Sequence, residues 1–429
     1  MNQQSVEAMH PLRILMSAYS CAPDRGSELA NGWNWPLAMA RRGHDVTVLT
    51  TPRFRTEISE ACRRITRPLP RFEFVDEVEP RDLLSRVSGQ QRVYSRYFLW
   101  QRKILDTARA LHAKERFDLV HHISWGSLRG GSHLAGLGIP FVFGPTGGGQ
   151  TAPWRFIGCF GRSAPLEIAR TVSTRWLARA VGRGRATAKG ASIILAANKD
   201  TAELARNLGS ERVAFFQDSG IDASVISQDT SRDWDWPELE VAWVGRMFAL
   251  KGVGLALKAL AQVKQRASIR MTLVGDGPER AGLERMASTL GIDHALNWTG
   301  AISWSEVINR LDRAHVLIFP SLRESGGAQL LEAMARGVPI LTLDHQGGRD
   351  QVPPEAGIKV PVRDPRRVAR DLADTMVQLA HDRDRLREMS AIGHRYAREQ
   401  TWDVKAEQME QIYRQALSMA PPAKRASWS

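Results

Sequence analysis

His315-Val-Leu-Ile-Phe319-Pro-Ser-Leu-Arg-Glu324-Ser-Gly-Gly-Ala-Gln-Leu-Leu-Glu332-Ala-Met-Ala-Arg336-Gly-Val-Pro339 is the stretch that decides the fold. Its first five residues form a short apolar run that stops at Pro320-Ser321, as a buried parallel strand stops. From Ala328 to Arg336 the apolar residues Leu330, Leu331 and Met334 recur at helical spacing, and Gly337-Val338-Pro339 ends the helix. Glu324 then lies in the loop above a strand end, and Glu332 about two turns along the helix that follows. Between them Gly326 and Gly327 leave bare backbone N–H groups at a helix N-terminus, which suits a phosphate. A phosphate seat with a hydroxyl-binding carboxylate at each end describes an activated sugar. The plainer reading is a surface glutamate and a helix glutamate around a turn.

The same strand–helix grammar runs outward in both directions. In the second half, strands are expected at Val241–Gly245, Met271–Gly275 and Ile340–Leu343, with helices at Gly254–Lys264 and Glu279–Leu290. In the first half, strands fall at Arg13–Ala18, Val46–Leu49, Leu119–His122, Phe141–Phe143 and Ser192–Ala196. Alternating βα units imply parallel sheets, and the restart after the polar stretch Gln217–Pro237 implies two of them. The expected architecture is α/β: two doubly wound, Rossmann-like domains facing across a cleft. Expected spans are 1–215, 216–400, a C-terminal helix over 401–420 that returns to the first domain, and a disordered tail over 421–429. One long charged helix is expected over 378–399. Ligands in such sheets bind beyond the carboxyl ends of the strands.

Composition narrows the classes. With 43% hydrophobic and 24% charged residues the chain reads as an ordinary globular protein. Three cysteines form no disulfide framework, the N-terminal residues carry no apolar signal core, and no apolar run reaches membrane-spanning length. A cytoplasmic protein is therefore expected. The net charge of +13 is lopsided: residues 1–215 hold 31 Lys/Arg against 18 Asp/Glu, and residues 216–429 hold 28 of each. Basic, amphipathic stretches at Arg81–Arg116 and Arg162–Lys189 suit an anionic membrane surface or an anionic lipid-linked acceptor. Nucleic acid or a merely solvated basic face would explain the same charge.

Several further groups could carry chemistry. Gly245-Arg246 ends one strand and Lys251-Gly252 follows, two cations that suit a departing diphosphate or are ordinary surface charges. Val274-Gly275-Asp276-Gly277-Pro278 lacks the third glycine of a dinucleotide fingerprint, which argues against a dehydrogenase. Gly26, in Asp24-Arg25-Gly26-Ser27-Glu28, allows close backbone approach from the opposite wall. His121 and His122 are adjacent in a strand and must face opposite sides of the sheet. Gly147-Gly148-Gly149 costs folding entropy, for which close approach to a substrate is the better account. Trp154, Phe156 and Phe160 read as an apolar rim for a lipid chain or as core.

Together these pieces resemble the retaining glycosyltransferases of family 4, which have the GT-B architecture. The carriers are the Gly26 loop, Gly245-Arg246 with Lys251-Gly252, Gly275-Asp276-Gly277-Pro278, and Glu324 and Glu332 followed by Ala333-Met334-Ala335, in order over nearly the whole chain. The resemblance implies that Arg246 and Lys251 hold the donor diphosphate and that Glu332 binds the ribose. It gives Glu324 the hexose hydroxyls, and gives the sugar and phosphate to Gly245, Ser325, Gly326, Gly327 and Ala328. Gly26 would meet the phosphate from the first domain, and Ala301 and Ile302 would lie near the base. Glu324, Arg246 and Lys251 are the expected catalytic set. Many members carry a histidine where this chain has Gly144-Pro145-Thr146, so His122, Gly147 and Gly148 are the candidates for the acceptor and sugar region.

The implied reaction needs no metal and no cofactor beyond a UDP- or GDP-linked sugar as co-substrate, and the chain is taken to lack an Asp-x-Asp motif. The expected partners are that nucleotide sugar, a lipid-linked or oligosaccharide acceptor, and an anionic membrane surface reached through the basic first domain; no nucleic acid is expected. The product would enter polysaccharide or glycolipid biosynthesis at the inner face of a membrane. Alternatives are a sugar-nucleotide epimerase or phosphorylase on the same fold, or a nucleic-acid-binding protein on a degenerate one.

Overall fold

A computed structural model describes residues 10–26, 28–78, 90–175, 182–230 and 232–419. The first half forms strands β1 (Arg13–Ala18), β2 (Asp45–Thr50), β3 (Arg71–Phe74), β4 (Leu119–Ser124), β5 (Phe141–Thr146), β6 (Ile193–Ala196) and β7 (Val213–Phe215). Its helices are α1 (Glu28–Arg41), α2 (Arg55–Arg64), α3 (Gln90–Glu115), α4 (Ala164–Arg175), α5 (Gly182–Gly190) and α6 (Lys199–Asn207). The second half supplies β8 (Leu239–Val244), β9 (Ile269–Val274), β10 (Leu296–Gly300), β11 (Val316–Phe319), β12 (Ile340–Leu343) and β13 (Gly357–Val360). With these go α7 (Val253–Val263), α8 (Arg280–Leu290), α9 (Trp304–Arg313), α10 (Ala328–Ala335) and α11 (Gln346–Gln351). Helices α12 (Pro365–His381), α13 (Arg383–Arg398) and α14 (Trp402–Ser418) complete the chain.

Every strand pairs in parallel, giving one sheet of order β3-β2-β1-β4-β5-β6-β7 and a second of order β10-β9-β8-β11-β12-β13. The strand order reverses direction between β1 and β4 in the first sheet and between β8 and β11 in the second. Such switch points open a crevice at the carboxyl ends of their strands. Two Rossmann-like α/β domains result.

Helix α14 leaves the second domain and packs on α1, seating Trp402, Met409 and Tyr413 in the first domain's core. Tyr413 Oη meets His121 Nδ1 at 2.7 Å, and Glu410 binds Arg42 and His44 at 2.7 and 3.0 Å. A second crossing runs the other way. Phe156 and Phe160, buried at 0% and 3% exposure, fill the core of the second domain, and their 3-10 segment lies against the Ala249–Lys251 turn.

One expectation changes here and two readings are narrowed. The helix expected over 378–399 is two helices, broken at Asp382, whose side chain accepts from Arg385 N–H at 3.1 Å and starts α13. The stretch Arg162–Lys189 is likewise α4 and α5, with 176–181 outside the described residues, as are 81–89 of the other basic stretch and the tail from Pro421. Phe156 and Phe160 are core, not rim; of that trio only Trp154 is exposed.

Candidate active site

The site grows from close-packed turns at the second domain's switch point. Gly252 has φ of +69°, and a Cβ there would sit 2.0 Å from Pro320 O, so only glycine lets the turn after β8 lie on the loop after β11. Leu322 N–H donates to Leu250 O at 2.8 Å and fastens the two loops. The consequence is a side-chain contact. Lys251 Nζ is bonded to Glu324 Oε2, both side chains 18% exposed. Next to them Gly275 crosses Gly245 so tightly that a Cβ would lie 1.9 Å from Gly245 O, which fixes the base of the Arg246 loop. Arg246 is exposed, its guanidinium 4.7 Å from the centre of the Phe248 ring.

Glu324 N–H donates to Gln346 Oε1 at 3.1 Å, and Gln346 Nε2 donates to Thr151 O across the domains at 2.8 Å. Ser325 O accepts from Asn198 Nδ2 at 3.0 Å, a second bond between domains. Gly326 is buried with Asp218 Oδ1 and Gln351 Nε2 each 2.7 Å from where a Cβ would be. Gly327 caps α10 at φ of +154°, so the first N–H groups of that helix, which have no partner within it, open beside Glu324. Glu332, two turns on, accepts from Trp304 Nε1 at 2.9 Å, and burial raises its pKa against that bond.

The opposite wall comes from the first domain's switch point. A cavity of about 560 Å³ is lined by Gly26, Arg25 and Asn31 on one side and by Ala328, Glu332 and Trp304 on the other. Glu28, opening α1, accepts from Trp125 N–H at 2.9 Å. The residue is exposed, yet protein crowds its carboxyl. Desolvation raises its pKa to about 7, with the charge of Asp218 adding to the rise and the Trp125 N–H opposing it. Asp218 is raised by burial and then by Glu324, while Lys405, 2% exposed, opposes both. Burial lowers Lys405 itself to about 8. A somewhat larger cavity, about 590 Å³ around Glu240, Thr272 and His315, opens at the amino ends of the same strands, away from the switch point.

The expected residues are thus gathered unevenly. Lys251, Glu324, Ser325, Gly326 and Gly327 form one continuous turn system, and Gly26 faces Ala328 and Glu332 across the cavity. Ala301 and Ile302 lie in the β10–α9 loop at the same edge of the sheet without lining that cavity.

The acceptor-region expectation needs correction at two points. His122 is wholly buried beside Tyr97 and Phe143, 3.3 Å from the Tyr97 hydroxyl, and desolvation lowers its pKa to about 3; it offers nothing to the cleft. The glycines make close approaches to protein. A Cβ on Gly147 would meet Ser325 Cβ at 2.8 Å, one on Gly148 the Leu128 N at 3.0 Å, and one on Gly149 the Asp200 O at 2.3 Å. Gly147 therefore still borders the turn at Ser325, but as one of the points where the two domains touch.

Sequence reasoning passed over Trp304, Asp218 and Lys405. Trp304 stands three residues beyond Ala301 and was within reach of it; nothing local marks the other two. Two Asp-x-Asp tripeptides, Asp233-Trp-Asp235 and Asp382-Arg-Asp384, do occur, contrary to expectation. Neither borders the cleft: Asp382 caps α13, and Asp235 and Asp384 both bind Arg387.

Comparison with known proteins identifies both halves of the chain. Residues 37–217 match the family model "Glycosyl transferase 4-like domain", and residues 229–395 match "Glycosyl transferases group 1". D-inositol 3-phosphate glycosyltransferase of Corynebacterium urealyticum is 31% identical over 189 residues, which are 42% of this chain and 43% of that protein. The chain thus spans less than half the length of that relative.

Among solved structures, sucrose-phosphate synthase from Thermosynechococcus elongatus superposes with a TM-score of 0.67 at 19% identity, covering 94% of this chain and 99% of the other. Anabaena Alr3699/HepE, solved with UDP and glucose, gives 0.60 at 14% identity with the same coverage. At these identities the likeness is one of fold. Two adjoining family models on a two-sheet fold with its switch points face to face leave one assignment: the chain belongs to glycosyltransferase family 4, of GT-B architecture.

Proposed function

We propose that this chain is a retaining glycosyltransferase that moves a hexosyl group from a UDP- or GDP-linked sugar to a lipid-linked or glycan acceptor, in polysaccharide or glycolipid synthesis. The observation that carries the reading is the Lys251–Glu324 contact at the N-terminus of α10, with Glu332 two turns along and Gly26 opposite. The α10 N-terminus and Lys251 form an anion seat at the place where a leaving diphosphate gains charge. Arg246, exposed beside it, swings over the same diphosphate. Glu332 takes the ribose hydroxyls with Trp304 steadying its carboxylate, and Glu324 takes hexose hydroxyls.

In the transfer, the bond from the anomeric carbon to the diphosphate oxygen breaks as the acceptor oxygen forms its bond on the same face. The acceptor proton passes to the departing phosphate oxygen. Preorganised cations lower the barrier without a metal, because they meet the charge as it develops. The basic first domain and the exposed apolar residues of α4 support an acceptor at an anionic membrane surface. Among the described residues no helix is long and apolar enough to cross a membrane.

Proton NMR of reactions with α-linked UDP- and GDP-hexoses tests the reading. The α-anomer should appear first in the product, and Glu324→Gln should lower the rate by about 10²–10³-fold, as loss of one transition-state contact does. Consumption of no nucleotide sugar, or first appearance of the β-anomer, would contradict it.

A further inference from the structure

Gln346 carries a side chain where the backbone favours glycine. Its φ is +48°, in the left-handed region that residues with a Cβ seldom enter, and Gly347 and Gly348 follow it. Strain kept at one residue beside a site points to a role for its side chain. That side chain is engaged at both ends. Gln346 is 1% exposed, its Oε1 accepts from Glu324 N–H at 3.1 Å, and its Nε2 donates to Thr151 O at 2.8 Å. Both partners are main-chain groups, so the amide stands only this way round: the N–H needs its oxygen and the carbonyl its nitrogen. One end holds the backbone of Glu324, and the other holds a loop of the opposite domain.

The segment around Gln346 is pressed between the same two partners. On the second domain's side, a Cβ on Gly347 would lie 2.4 Å from Gly326 O, so α11 starts in backbone contact with the Glu324 turn. On the first domain's side, Asp350 accepts from Lys199 N–H at 2.8 Å and Arg349 reaches Asp200 at 2.9 Å, both partners at the start of α6. Thr151 follows Gly147-Gly148-Gly149, the loop after β5, and so belongs to the wall across from the Glu324 turn. Moving that wall away breaks the Gln346–Thr151 bond and the α6 contacts together. It also releases an amide that is otherwise fixed at both ends.

We propose that Gln346 is a positioning residue that makes the setting of Glu324 depend on closure of the cleft. With the first domain in place, Thr151 O fixes the amide, and the amide fixes the Glu324 backbone. With the cleft open, Glu324 loses that anchor, and its carboxylate is no longer held where the hexose hydroxyls lie. Transfer is then confined to the closed molecule, since a misplacement of about 1 Å costs roughly a hundredfold in rate. Gln346 acts through Glu324 and touches neither substrate. The inference rests on the glycosyltransferase reading above.

The test is steady-state release of nucleoside diphosphate from α-linked UDP- and GDP-hexoses by the full chain, with water as acceptor. Gln346→Met keeps the shape and loses both bonds. It should lower kcat at least about tenfold and leave KM within about twofold, because the donor's own contacts are untouched. Gln346→Glu keeps an acceptor for Glu324 N–H and loses only the donation to Thr151 O. At about pH 8 it should be as slow as Gln346→Met. As pH falls the buried carboxyl takes up a proton and donates as the amide does, so its rate relative to wild type should climb at least about fivefold by about pH 5.5. Glu324, Asp200, Arg349 and His345 surround the position in all three proteins, so a Gln346→Met ratio that stays flat over the same range isolates the new carboxyl.

A local anchor that ignores the first domain predicts otherwise. Gln346→Glu, its acceptor kept, would then stay within about twofold of wild type at about pH 8, and that result overturns the proposal. So does an unchanged kcat in Gln346→Met, or a Gln346→Glu ratio that does not move with pH. Titration calorimetry with nucleoside diphosphate on the same samples separates misfolding from misplacement. Affinity should stay within about twofold in both variants; its loss would make Gln346 a structural residue and overturn the role. Wild-type protein that turns over no nucleotide sugar removes the glycosyltransferase reading and this inference with it, whereas turnover with Gln346→Met unaffected removes the inference alone.

Discussion

Glu28, Asp218 and Glu324 lie within electrostatic reach of one another in series, with Lys251 bonded to Glu324 at one end and Lys405 acting on Asp218 in the middle. The turn that carries Glu324 was legible in the sequence because an apolar strand, two glycines and a helix in succession have a local signature. Asp218 and Lys405 were not, since 187 positions of chain separate them and only α14 brings them together. Glu28 yields a test of sign. Its folded pKa of about 7 lies above the ordinary glutamate value, so the protonated form is favoured in the fold. That contribution is complete below the unfolded pKa and is lost as pH rises through about 7. Glu28→Gln should therefore melt close to wild type near pH 4.5 and above it at pH 8, with a gap that widens between the two. A gap that does not depend on pH, or one that narrows as pH rises, would contradict the placement of Glu28 in a desolvating cleft.

At the scale of elements, the strands that the sequence showed are those buried on both faces, where apolar runs are continuous. The strands it hid, β3, β7, β10 and β13, are short, and several are only partly covered. Arg71-Phe-Glu-Phe74 alternates charge with aromatic at a sheet edge, and Gly357-Ile-Lys-Val360 has two half-buried residues. Helix α4 escaped for a different reason: periodicity finds an amphipathic helix but cannot say which face turns inward. The Phe156 segment shows that adjacency in the chain does not assign a core. It belongs to the first half by connectivity and to the second by packing, where it braces the turn that bears Lys251. Phe156→Ala should then cost about 3–5 kcal/mol in equilibrium unfolding, as deletion of a buried phenyl does. A loss below about 1 kcal/mol would show that the segment is not part of that core.

At the scale of the whole molecule, the restart of the βα grammar after the polar stretch from Gln217 made two sheets legible. It could not show how they are tied. The ties are α14 on α1, the Phe156 segment on the second core, and the hydrogen bonds from Gln346 and Asn198 across the cleft. They hold the two switch points face to face, so that Gly26 and Glu332 line one cavity. The charge is as unequal between the halves as the proposed division of labour requires, in which the basic half would take an anionic acceptor and the balanced half a nucleotide sugar.

That division stands or falls on the cleft binding a nucleotide sugar through Lys251. The most direct measurement is the melting temperature of the full chain against UDP-, GDP- and ADP-linked hexoses, for wild type and Lys251→Ala. One base should raise the wild-type melting point by several degrees at saturation, because a ligand at about 100 times its Kd adds about 2.7 kcal/mol. Lys251→Ala, with an unchanged melting point of its own, should lose most of that shift. No stabilisation by any nucleotide sugar, or an equal shift in both proteins, would contradict the account.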